Sequence, residues 1–175
     1  MKKAFALLSI VVLFGFEPVS AQSDAKPESF VFEEVDTASG TADQLFVKAA
    51  QWVATTYTTP TGTVQLSDKA AGKLILKGYH IVAMPKKGQW PVNMNVSYTL
   101  TVDVQDGRYR YRIGDFKADR ASVGTPATFR LSDPTEKADK KYRQEVAHTK
   151  EEIRRHTDSL MKSLSSALHQ SPDTF

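Results

Sequence analysis

Cysteine is absent from the 175-residue chain. That excludes a thiol nucleophile, a zinc ribbon, a haem attachment site and any disulfide framework. It also excludes lipid-anchored export, which needs a cysteine at the cleavage site. Long apolar runs are scarce as well. The stretch from Ala4 to Phe16 is broken by Ser9 and Gly15, is too short to span a bilayer, and is followed by no second one. Charge of one sign is also in short supply: 23 basic residues against 20 acidic ones leave a formal +3. Spread along the chain, that is no nucleic-acid footprint, so no nucleic-acid partner is expected. Catalytic signatures are missing too, with no Gly-x-Ser-x-Gly elbow, phosphate loop or carboxylate pair at a working spacing.

What the chain does have begins at its N-terminus. Lys2 and Lys3 form a basic n-region, the apolar run follows, and Pro18 with Val19-Ser20-Ala21 supplies a break and a small-residue cleavage site. This is the pattern of a secretory signal peptide. The expectation is an exported chain beginning at Gln22, soluble, periplasmic or extracellular, without a lipid anchor or a transmembrane segment. Residues 22–29 are polar and proline-broken and read as a disordered leader. The remainder suffices for one domain with a core of its own.

Phe30 to Val35 reads as a first strand. Thr41 and Gln44 make a capping box, each side chain able to satisfy an orphan amide of the other. Leu45, Phe46, Ala49, Trp52, Val53 and Tyr57 then recur at helical spacing until Pro60 and Gly62 end the helix. Beyond Gly62 the period becomes alternating. Val64 and Leu66 mark a strand. Lys73 to Met84 is apolar at both parities, with Leu74, Leu76 and Val82 on one side and Ile75, Tyr79 and Ile81 on the other, which predicts a central strand partly covered on both faces. Val96, Tyr98, Leu100, Val102 and Val104 alternate with polar residues, and Asp106-Gly107 suits a hairpin turn with positive φ at both positions. The returning strand turns Tyr109, Tyr111 and Ile113 inward and Arg108, Arg110 and Arg112 outward. Gly114-Asp115 breaks the alternation, predicting a bulge. Residues 119–134 read as a loop and 135–170 as an amphipathic helix, with a break plausible between its charged first half and its apolar second half. Residues 171–175 form a tail.

The predicted order is β-α-β-β-β-β-α: an α+β fold whose antiparallel sheet carries its helices on one face. The first strand, the helix Ala42 to Val53 and the stretch Gly72 to Gly78 resemble a family of uncharacterised exported bacterial domains with a TATA-binding-protein-like fold. The resemblance covers about Phe30 to Lys117, within a domain read as residues 30–118. It implies that fold and export but no chemistry, because the family's function is undefined and a fold does not carry one.

Three arginines on one strand face, Arg108, Arg110 and Arg112, are candidates for an anion or envelope partner, set against the plainer reading of a solvated face that discourages edge pairing. Trp90, in the loop 85–91, is a candidate binding anchor. The four histidines, His80, His148, His156 and His169, show no chelating pair, and no metal, cofactor or catalytic residue is expected. The sequence therefore suggests a non-enzymatic binding module facing an envelope protein, glycan or lipid. The alternative is a carrier of a small hydrophobic, lipid-like ligand held between sheet and C-terminal helix. A hydrolase ranks behind both.

Overall fold

A computed structural model of the chain describes residues 30–57, 63–84, 92–120, 127–133, 135 and 138–170. The order is β1 (Phe32–Thr37), α1 (Ala42–Thr56), β2 (Val64–Asp68), β3 (Lys73–Met84), β4 (Val92–Gln105), β5 (Arg108–Arg120), β6 (Ala127–Arg130) and α2 (Lys140–His169). The strands form one antiparallel sheet in the order β1-β5-β4-β3-β2, and β6 also pairs with β5. The outer edge of β5 is thus shared. β1 takes residues 108–113 and β6 takes 117–120.

The expected α+β architecture holds, with local corrections. The predicted loop 119–134 contains β6, where Phe129 lies opposite Ala118. Four residues with one apolar side chain turned inward are too few to register as alternation. The second helix begins at Lys140 rather than Thr135, because Asp139 is its N-cap and accepts from the Tyr142 amide at 2.8 Å. It runs unbroken to His169.

Alternation on β4 and β5 sets the core. Val96, Tyr98, Leu100, Val102 and Val104 are buried with Tyr109, Tyr111 and Ile113, all on the helix-covered face. Against them α1 lays Leu45, Phe46, Ala49, Trp52 and Val53, and α2 lays Ile153, Leu160, Leu164 and Leu168. The capping box at Thr41 and Gln44 forms as the sequence indicates. The hairpin reinforces it, since Asp106 Oδ1 accepts from the Ala42 amide at 2.7 Å. The turn differs from expectation: Gly107 has positive φ and Asp106 does not. A turn needing a left-handed residue only at its second position serves here. The helices are tied to each other by Trp52 Nε1, which donates to Ser163 Oγ at 2.9 Å. Lys48 Nζ adds a second tie by reaching the carbonyls of Leu168 and Gln170 at the end of α2.

The other face of the sheet is covered by no helix or strand among the described residues. The reading of β3 is corrected too, because Tyr79 is 67% exposed and Ile81 54% exposed. Their side chains belong to an open face, and their apolar character imitated two-sided burial. Val35 and Leu66 add to that exposed apolar surface.

Candidate functional site

The open face owes its relief to the predicted bulge. Ser97 pairs with Lys117 and Thr99 with Gly114, so β5 carries one extra residue between them, and Asp115 takes φ 56°. Asp tolerates that conformation better than most residues. Register then lines up outward side chains in rows across the strands. One row is Tyr79, Ser97, Lys117 and Arg130; the next is Lys77, Thr99 and Gly114; a third is Ile75, Thr101, Arg112 and Glu33. Gly114 adds no side chain to the middle row, and β1 gives way to β6 beside it. The result is a groove of about 510 Å³ whose lining includes Lys77, Ser97, Thr99, Arg112, Lys117 and Arg130, with Asp115 its one carboxylate among the described residues.

The charges there are unevenly satisfied. Arg112 lies 3.7 Å from Glu33. Lys77, Lys117 and the Arg130 guanidinium make no ion pair among the described residues. Ser97 Oγ is only 3.5 Å from the Lys117 carbonyl, a weak contact that leaves the hydroxyl available.

The rest of the arginine ladder is spent on its neighbours. Arg110 grips Asp103 at 2.7 Å and lies 3.8 Å from Glu33. Asp103 also takes Lys73 at 3.0 Å. Burial alone would raise the Asp103 carboxyl, but hydrogen bonds and charge from Arg110 and Lys73 hold it below the usual range. Arg108 Nε donates to Gln105 Oε1 at 2.8 Å. Asp103, Gln105, Arg108 and Arg110 line a smaller pocket of about 250 Å³ whose cations are already engaged. Of the three candidate arginines, the structure brings Arg112 alone into the cationic groove. Trp90 lies outside the described residues.

The family model for a domain of unknown function with TBP-like fold, DUF4468, matches residues 32–119. The chain belongs to this family. A solved DUF4468 family protein from Bacteroides ovatus has a similar structure, with a TM-score of 0.65 at 15% identity over 83% of this chain and 88% of that one. A TBP-like protein from Parabacteroides distasonis gives 0.57 at 12% identity, over 77% and 92% respectively. Among curated proteins none matches. At these identities the likeness extends to the fold alone, so for this DUF4468 member any site must be read from its own residues.

On the covered face this chain carries two polar clusters. In one, the His80 ring stacks on His156, with centroids 3.9 Å apart. His156 Nε2 is 3.3 Å from the Tyr98 hydroxyl, which lies 3.2 Å from that of Tyr57. Burial, then the neighbouring His80, lowers His156 to about 4; burial lowers His80 too, opposed by Glu152. Both rings are neutral near pH 7; His80 fills the space between sheet and helix by stacking, and His156 adds the hydrogen bond to Tyr98. In the other cluster, Tyr109 donates to Asp36 at 3.1 Å and Tyr111 to Glu34 at 2.5 Å, beside Lys162, Ser165 and Ser166. No group of three or more His, Asp or Glu side chains suited to a metal occurs among the described residues.

Sequence reasoning missed Lys77, Lys117 and Arg130. Outward parity on β3 and β5 marks the first two as surface groups. Arg130 was hidden by the reading of β6 as loop.

Proposed function

We propose that this protein is an exported, non-enzymatic binding module that engages an anionic component of the cell envelope on the open face of its sheet. The observation that carries the reading is the groove at the shared edge of β5, where three cations have no carboxylate partner among the described residues. Elsewhere on the same face, Arg110 and Lys73 are both ion-paired with Asp103. Export rests on residues 1–21. No helix among the described residues is long and apolar enough to cross a membrane.

Packing favours this reading over a lipid-like carrier. Leu76, Met94 and Leu100 from the sheet meet Ile153, Leu164 and Leu168 from α2, and each is 0–1% exposed. These side chains occupy the space that an apolar ligand would need. The inward carboxylates Glu34 and Asp36 are each engaged by a tyrosine hydroxyl, which suits a structural role.

Two measurements test the reading. Mass spectrometry of the protein recovered from its native host should find an N-terminus at Gln22; an intact Met1 would refute export. The recovered chain should bind isolated envelopes at low salt. Lys77→Glu with Arg130→Glu should abolish retention, whereas the charge-matched pair Lys140→Glu with Lys141→Glu at the start of α2 should not. Equal loss from both pairs would reduce the groove to general electrostatics. Turnover of ester, glycoside, peptide or phosphate substrates, abolished by a point substitution, would refute the non-enzymatic assignment.

A further inference from the structure

We infer that the groove at the shared edge of β5 is a site for a phosphomonoester, with the organic part of the ligand lying against Tyr79. The inference rests on the reading of the open face as the binding surface and narrows it to one chemistry.

Donor chemistry selects the anion. A carboxylate has two oxygens and one charge, and a single guanidinium fork satisfies it. This groove offers two forks, Arg112 and Arg130, two ammonium groups, Lys77 and Lys117, and the hydroxyls of Ser97 and Thr99. A phosphomonoester near neutral pH carries a charge of about −1.5 to −2 on three strong acceptor oxygens, and so can use this donor set. Against four cations stand Asp115 in the lining and Glu33 beside Arg112, so positive charge remains in excess. Lys77 on β3 and Arg130 on β6 are three strand spacings apart and offset by one row, two residues along the strands, so their bases are separated by roughly 16 Å. Both side chains nonetheless line the same cavity, reaching it from opposite sides.

Register supplies the rest of the ligand's environment. Tyr79 stands in the row of Ser97, Lys117 and Arg130, and Ile81 follows two residues on along the same face. Both are more than half exposed, which places a ring and an aliphatic side chain in water next to a cationic groove. A phosphate in the groove would carry its ester substituent over that surface, where burial of the ring adds affinity that inorganic phosphate cannot gain.

The test is calorimetric titration of the processed chain with inorganic phosphate and with phenyl phosphate at constant low ionic strength. Co-sedimentation with phosphatidylcholine vesicles, with and without phosphatidic acid, forms a second arm. Phenyl phosphate should bind more tightly than inorganic phosphate. Lys77→Ala and Arg130→Ala should each weaken both by about tenfold, as expected for loss of a charge-assisted hydrogen bond. Tyr79→Ala should weaken phenyl phosphate alone. Asp115→Asn, which keeps a residue tolerant of positive φ, should tighten both. Binding of the soluble esters identifies a soluble ligand; capture by phosphatidic acid alone, lost in the same variants, identifies the phosphomonoester as a lipid headgroup. Absence of binding in both arms, or binding untouched by Lys77→Ala and Arg130→Ala, overturns the inference. Envelope retention that depends on Lys77 and Arg130 without phosphomonoester binding refutes this inference alone, while loss of both refutes the proposed function as well.

Discussion

Gly78 sits within β3 directly opposite Tyr98 on β4, and a methyl group there has no room. A Cβ built on Gly78 would lie 2.3 Å from Tyr98 Cζ, 2.4 Å from Cε2 and 2.5 Å from the hydroxyl oxygen. Glycine ordinarily weakens a strand, so its place here follows from the tyrosine ring lying across it. Gly78→Ala must displace that ring and disturb the Tyr57–Tyr98–His156 contacts at 3.2 and 3.3 Å. Overpacking of a tight core costs about 1–3 kcal/mol, and each hydrogen bond contributes about 1 kcal/mol net. Against this, alanine gains about 0.5–1 kcal/mol from the stiffer unfolded chain. The net loss is about 2–4 kcal/mol, which for a domain of this size lowers Tm by about 5–15 °C. Urea and thermal melts of Gly78→Ala, Tyr98→Ala and the double variant measure it. The penalty of Gly78→Ala should vanish in the Tyr98→Ala background, because the ring it strikes is gone. A single variant as stable as the parent, or the same penalty in both backgrounds, would refute the reasoning.

Leu100→Ala, at a fully buried site in the middle of β4, should destabilise by about 2–5 kcal/mol in urea melts; a loss under about 1 kcal/mol would mean that the strand does not face the core. Stability should also fall in mild acid. His156 ordinarily titrates near 6.5 but is held to about 4 in the fold, facing His80 and Tyr98, with the Glu152 carboxylate acting on His80. Between those values the unfolded chain binds the extra proton, so this contribution is complete above about pH 6.5 and is lost as pH falls toward 4. With the ring's residual exposure taken into account, the loss is about 1–2 kcal/mol. His156→Gln should flatten that limb of the stability–pH curve, and an unchanged slope would assign it to carboxylates.

β4 was legible in the sequence because one of its faces meets the core and the other meets water, so Leu100 and its neighbours alternate cleanly with Thr99 and Thr101. The box at Thr41 was legible because capping is local chemistry. β3 misled because Ile75, Tyr79 and Ile81 are apolar yet face outward, a pattern that burial on both faces would also produce. β6 was too short to show a period. The arginine ladder could be seen along β5, and the hairpin register that gives Arg110 to Asp103 follows from the Asp106-Gly107 turn. The groove could not be seen, because its residues come from four strands. The same hairpin register places Thr99 opposite Gly114, but Lys77 joins them only through the pairing of β3 with β4, Lys117 only through the bulge, and Arg130 only through β6. No local spacing in a sequence records which residue stands opposite which across strands that far apart.

The most direct test of anion binding on the open face is a nitrogen-15 NMR titration of the processed, isotope-labelled chain with phenyl phosphate. Saturable shifts should be confined to the amides of the groove and its rim, at Lys77, Tyr79, Ser97, Thr99, Arg112, Asp115, Lys117 and Arg130, with Leu45, Ile153 and Leu164 on the covered side unmoved. Shifts centred on the helix-covered face, or none at saturating ligand, would contradict it.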